Sequence, residues 1–346
     1  GHVWAWGDNG AGQLGDGTNS GERLEPVEVD SDATFVQVSA GYIHSLALDS
    51  NGNLWAWGVN NYGQLGDGST DNQNVPTLVS VEHTWKSGIQ TPTDTSTESS
   101  GTSRFDTSST VSDRMSAEVH DVTATAGTVS IESGGAKQVA TSGDHKFVLT
   151  SEGLLYAWGN NQYGQLGFKP DTTNSATPTN VNKPTIINGS WLKVAAGGKH
   201  SAAISTDGHL YTTGWNGSGQ LGTGDTDNRD QWTEVASDKT FIDVACGNQF
   251  TVAIASDGTL WGAGNAVGSQ NYATWTQIGS DVKFTQLSAS MEGFIALNTS
   301  GGYLYSGTGV SLGQLSSGGY TQVAAAFGQM YALKDDGTVF WFSTTY

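Results

Sequence analysis

The sequence predicts an all-β fold: a seven-bladed β-propeller with six complete repeats and a partial one at its N-terminal end. Three observations point to it. A 21-residue core recurs from Val38, Val139, Val194, Val244, Leu287 and Val323, with glycine fourteen positions on at Gly52, Gly153, Gly208, Gly258, Gly301 and Gly337. Within each copy the apolar residues alternate, as Val36, Val38 and Ala40 do with Gln37 and Ser39, which is the period of a strand with one buried face. The composition, 48 glycines in 346 residues with 14% charged, suits a turn-dense chain that buries a core.

Taken in order, the chain opens inside a repeat. Gly1-His2-Val3-Trp4-Ala5-Trp6-Gly7 aligns with Gly52–Gly58, so preceding residues, or a strand from elsewhere, are expected to complete that blade. Pro26–Val29 offers a short outer strand. The first whole copy follows: a strand over 36–40, an apolar strand Ser45–Leu48, the turn Asp49-Ser50-Asn51-Gly52, and the strand former run Asn53-Leu54-Trp55-Ala56-Trp57-Gly58. Small residues such as Ala40, Ala47, Ala196, Ala203 and Ala253 fit strands crowded toward an axis. Trp55 or Trp57, with Trp158 and Trp261, is expected to pack between neighbouring blades, because aromatic surface of that size is costly in water. The loop Gly63-Gln64-Leu65-Gly66-Asp67-Gly68 then leads to an outer strand near 76–81.

Regularity breaks at 83–135. From Val38 to Val139 is 101 residues, against 55, 50, 43 and 36 for the later intervals. The tract 91–103 is rich in serine and threonine, and Met115–Thr125 and Thr128–Glu132 form a candidate hairpin around Ala126-Gly127. The segment is expected to be an insertion within the second blade of a single 1–346 propeller, the alternative being a degenerate blade. Its thin apolar series, Arg104, Phe105, Val111, Met115 and Val119, is the candidate partner contact. Beyond it the glycine-rich loop wears away, to Ala266–Gln270 and then Ser311–Leu315.

Charge and motifs narrow the function. A net charge of −19 repels phosphate backbones and anionic lipids, which argues against nucleic-acid or membrane-surface binding. No apolar run approaches the ~18 residues that span a bilayer. The single cysteine, Cys246, takes a position held by alanine in other copies and reads as a small buried residue. The glycine-rich loops lack the lysine and serine or threonine of a phosphate-binding loop. The acidic run Asp225–Asp230 lacks the glycine and glutamate of a calcium loop and contains Arg229, so it reads as a solvated loop. His44, His145 and His200 share one repeat position and read as structural histidines at tight turns, not metal ligands. No nucleophile, base and acid gather on one element, so no catalytic, metal or cofactor residue is assigned and the chain reads as a non-enzyme.

The motifs LWAWGVNNYGQLGDG at 54–68, YAWGNNQYGQLG at 156–167 and YTTGWNGSGQLGTG at 211–224, with AG-x-x-H-S at 40–45 and GGKHSAAI at 197–204, resemble the repeats of the regulator-of-chromosome-condensation family. The resemblance covers the chain apart from 83–135. It implies a seven-bladed propeller but no single function, since such propellers serve as exchange factors, inhibitors and binding modules. We expect a binding or structural module on a virus particle or cell exterior, part of a larger assembly, which contacts a protein partner through its loop face or the insertion. The alternatives are a guanine-nucleotide exchange factor for a Ran-like small GTPase and a secreted enzyme inhibitor.

Overall fold

The computed structural model describes residues 2–41, 43–51, 53–79, 136–169, 180–266, 270–279, 282–307, 312–316, 318–326 and 329–343. The expected insertion 83–135 therefore lies outside the described residues. Among those described there are 25 strands and no α-helix. Every sheet is an antiparallel meander, as short strands joined by tight turns require.

A two-stranded ribbon comes first, β1 (Trp4–Asp8) with β2 (Glu22–Glu28). Five four-stranded sheets follow: β3 (Phe35–Ala40), β4 (His44–Asp49), β5 (Leu54–Gly58) and β6 (Gln73–Leu78); then β7 (Ala136–Ser142), β8 (His145–Thr150), β9 (Leu155–Asn160) and β10 (Asn180–Ile187); then β11 (Trp191–Ala196), β12 (His200–Ser205), β13 (Leu210–Gly214) and β14 (Arg229–Val235); then β15 (Phe241–Cys246), β16 (Phe250–Ala255), β17 (Leu260–Ala266) and β18 (Gln270–Ile278); then β19 (Phe284–Ala289), β20 (Phe294–Asn298), β21 (Leu304–Gly307) and β22 (Gly313–Ser316). The last sheet has three strands, β23 (Tyr320–Ala326), β24 (Gln329–Lys334) and β25 (Val339–Ser343). Six propeller blades of three or four strands thus follow the ribbon. The outer strand foreseen at 26–29 is β2, which begins earlier, at Glu22. That foreseen at 76–81 is β6, Gln73–Leu78.

Consecutive sheets pack face to face, so the interior is a series of cores, one per interface. Leu46, Leu48, Leu54 and Ala56 of the second sheet meet Val148, Tyr156 and Trp158 of the third. Ala202, Ile204 and Leu210 of the fourth meet Phe241, Val244 and Ala253 of the fifth. Interior strands such as β8 are buried along their whole length, with both faces covered. The face that alternation assigned to the core on β3 is not: Val36, Val38 and Ala40 are exposed, where the neighbouring unit is only the two-stranded ribbon. Cys246 lies in the latter core, and burial pushes its thiol up to about 12, so it behaves as a small apolar side chain.

The repeat also carries a bulge. Pairing between the third and fourth strands shifts between Ala56 and Gly58, between Thr212 and Gly214, and between Gly262 and Gly264. Gly58, Gly214 and Gly264 have φ of +105°, +104° and +99°, and a Cβ on Gly58 would sit 2.6 Å from the His44 Cα. Glycine is required there by both conformation and space. In the fifth copy the alignment slips: Phe294 pairs with Gly307, whereas the sequence spacing places Gly293 there, because the hairpin from β20 to β21 holds one extra residue.

The first strands of neighbouring sheets, β3, β7, β11, β15, β19 and β23, converge at the axis. Polar side chains at one repeat position tie them. Gln138 donates to the Val194 carbonyl and accepts from its amide, Lys193 pairs with Asp243, the Leu287 amide donates to Asp243 Oδ2 at 3.1 Å, and Gln286 donates to the Thr321 carbonyl. Burial pushes the Asp243 carboxyl up from its ordinary value against the pull of Lys193. Asp243→Ala leaves both Lys193 and the Leu287 amide without their partner. We expect it to cost roughly 2–3 kcal/mol, discounted for the partial exposure of Lys193, in urea unfolding.

Candidate protein-interaction face

In each meander the turns after the first and third strands lie on one face of the sheet assembly, and the turn after the second lies on the other. The first face carries the AG-x-x-H turns and the GQLG loops. Each loop is held by an asparagine: Asn60 Oδ1 accepts from the Leu65 amide, while its Nδ2 donates to Asp67 and Ser69. Asn9, Asn161 and Asn216 do the same for Leu14, Leu166 and Leu221. Gln64 Oε1 accepts from the Tyr62 amide, and Leu65 plugs the core below. The second glycine meets a tryptophan of the next sheet: a Cβ on Gly66 would lie 2.6 Å from Trp158 Nε1, and one on Gly15 2.7 Å from Trp57 Nε1. The consensus letters N, Q, L and G thus build the loop itself.

The tryptophans follow the expectation with one substitution. Trp57 and Trp158 are buried against the preceding unit. Thr213 and Ala263 occupy their position in the next two sheets, and there the indole comes from the outer strand, as Trp232 against Gly167 and Trp275 against Gly222. Trp55 is half-buried with Nε1 donating to Asp49; Trp261 is half-buried beneath Lys239.

Two of the three histidines, His145 and His200, are inter-sheet staples. Ser201 Oγ donates its one proton to the Gln165 carbonyl at 2.7 Å, so it accepts from His145 Nε2 at 2.8 Å. Thr251 Oγ1 likewise donates to the Gln220 carbonyl and accepts from His200 Nε2 at 2.9 Å. Histidine and loop carbonyl from one sheet therefore share a hydroxyl from the next. Burial holds His145 down to about 3 and His200 to about 4, so both are neutral with the proton on Nε2. The hydroxyl row Ser45, Ser201 and Thr251 was the part not foreseen. Its signal was present as the serine that ends the AG-x-x-H-S motif.

The acidic loops are internally satisfied. Asp225 accepts from Arg229, Thr223 and the Asp227 amide, and these hydrogen bonds lower its carboxyl. Among the described residues no group of three or more metal-ligating side chains forms. What remains free on this face is Tyr62, exposed, with Tyr163 and Trp215 half-buried, Lys199 over the Tyr163 ring, and the exposed acids Asp71 and Asp227. Arg104, Phe105, Val111, Met115 and Val119 lie outside the described residues.

The RCC1-like domain model matches residues 1–272. The ultraviolet-B receptor UVR8 of Arabidopsis thaliana is 28% identical over 266 residues, covering 75% of this chain and 48% of that protein. The probable E3 ubiquitin-protein ligase HERC4 of Homo sapiens is 30% identical over 243 residues, 68% of this chain and 18% of that one. The chain thus spans half or less of these relatives. Among solved structures, human WBSCR16 superposes with a TM-score of 0.73 at 19% identity, covering 99% of this chain and 88% of that one. Yeast RCC1 (Prp20), solved bound to Kap60, superposes at 0.71 with 17% identity, covering 99% and 78%. Sheet order, loop motif and family match agree, and the chain belongs to the RCC1-like domain family.

Proposed function

We propose that this chain is a non-enzymatic, protein-binding propeller that engages its partner through the face bearing the GQLG loops. The observation that carries it is the division of labour within those loops. Asparagine, glutamine and leucine are buried to make a rigid frame, while Tyr62 and Tyr163 at one repeat position, Asp71 and Asp227 at another, and Trp215 reach solvent. Rigid aromatic and polar groups on a fixed scaffold are what protein recognition uses. We count the β1–β2 ribbon as part of a seventh blade, and include the segment 83–135 as a second route of contact. Exterior placement, on a virus particle or cell surface, is supported by the low lysine content and the serine- and threonine-rich tract.

The combined variant Tyr62→Ala, Asp71→Lys, Asp227→Lys should lose partner recovery from source material about tenfold or more without shifting the melting temperature. Glu152→Lys with Asp335→Lys, on the other face, should not. Equal loss from both sets would overturn the assignment.

A second reading is exchange-factor activity. One neighbouring solved structure, Prp20p of Saccharomyces cerevisiae, is described with its binding to Gsp1p and histones, at 18% identity, which speaks for the fold alone. Release of bound GDP from a Ran-like GTPase, accelerated by this chain, would establish it; an unchanged rate would dismiss it.

A further inference from the structure

The interface between the second and third sheets departs from its neighbours at one position. Where Ser45, Ser201 and Thr251 supply the bridging hydroxyl elsewhere, β8 carries Lys146. Its side chain is fully buried and its Nζ has no hydrogen-bond partner. His44, which faces it, is left without the hydroxyl that His145 and His200 enjoy, and its Nε2 is buried and unpartnered too. Thr141 pairs with Lys146 across the β7–β8 ladder and buries a third unpartnered polar atom, Oγ1. The loop carbonyl that accepts the hydroxyl in sister interfaces, here that of Gln64, is taken by Trp158 Nε1 at 3.2 Å.

The three groups share one deficiency. As an ammonium, Lys146 offers only donors, and His44 with its proton on Nε2, as in its two sister residues, offers another. Thr141 has a hydroxyl proton to give. Burial depresses both Lys146 and His44 from their ordinary values, and the charge of Lys146 lowers His44 further. Asp144 attracts Lys146 through space but does not bond it. What is missing is an acceptor with negative charge and small size, because the surroundings are the close-packed core of Leu65, Val148 and Trp158.

We propose that Lys146, His44 and Thr141 form an internal site for a small monovalent anion, chloride in size, which joins the second and third sheets as a hydroxyl does at the neighbouring interfaces. A larger or multiply charged oxyanion does not suit a packed interface with one ammonium. Bound there, the anion keeps Lys146 charged and gives His44 its acceptor, so stability becomes linked to anion concentration.

The test is thermal unfolding of the full chain at pH 7 and constant ionic strength, with sodium gluconate replaced stepwise by sodium chloride and, separately, sodium bromide. The expected result is a saturable rise in melting temperature of about 3 °C or more with either halide. Bromide should also quench Trp158 fluorescence with the same midpoint, a readout that does not depend on any variant folding. Lys146→Ser restores the residue type of the sister interfaces and should abolish both effects. Equal melting temperatures in gluconate and halide, or a halide response that survives in Lys146→Ser, would overturn the proposal.

Discussion

Lowering the pH from 7 to 5 should destabilise this propeller by about 4 kcal/mol through His145 and His200 alone. In the unfolded chain these imidazoles titrate at about 6.5, whereas burial holds them at about 3 and about 4 in the fold. A folded-state value below the unfolded one means the unfolded chain takes up protons first. The stability they contribute is present above pH 6.5 and is lost as pH falls toward those lower values. At pH 5 each imidazole accounts for about 2 kcal/mol, since each pH unit below 6.5 is worth about 1.4 kcal/mol. His44, lowered chiefly by burial, adds in the same direction. Asp144 and Asp243, raised by burial, oppose it at lower pH. Urea unfolding at pH 7, 6 and 5 measures the slope. His200→Phe, which copies Phe250 at the same position of the next sheet, should remove about a third to a half of it. A flat profile would mean that these staples open to solvent.

Trp158→Ala should cost about 3–5 kcal/mol, the usual range for truncating a fully buried indole. The effect has two sources. The indole fills the core shared by the second and third sheets, and its Nε1 holds the Gln64 carbonyl of the preceding loop. Gly66→Ala probes the same contact from the other side, with a Cβ 2.6 Å from Nε1 and a backbone at φ +71°. It should destabilise by a comparable amount, through strain instead of a cavity. Denaturant midpoints for the two single variants and the double variant give the coupling. A double variant about 1 kcal/mol below Trp158→Ala alone is expected, because removing the indole removes the clash but leaves an alanine at φ +71°.

Much of this was legible in the chain. A strand's periodicity is a local property, so Val36, Val38 and Ala40 announced β3, though not its burial, since all three are exposed, and the turn glycines announced the hairpins. The GQLG loop could be read as structural because it lacked the residues of a phosphate site, and its asparagine, glutamine and leucine do bond inward. The histidine row, read as structural, does bond across sheets at His145 and His200. Less was legible where a residue's role is set by the next sheet. Nothing local distinguishes Gln138, Lys193, Asp243 and Gln286 from solvated polar positions, yet all four tie neighbouring first strands. The extra residue in the fifth copy was hidden because Gly301 and Gly307 kept the spacing.

By itself, then, the sequence determined the repeat, the strands within it and the family, because those depend on patterns that span about 20 residues. Only the tertiary structure decided which side chains meet across the blades. His145 and Ser201 are 56 positions apart, His200 and Thr251 51, and Trp158 and Gln64 94. Such pairings depend on how consecutive sheets are rotated and stacked, and no window of the chain contains both partners. Lys146 shows the consequence: read in the chain it is one lysine beside a histidine, and only the stacking of two sheets buries it against His44.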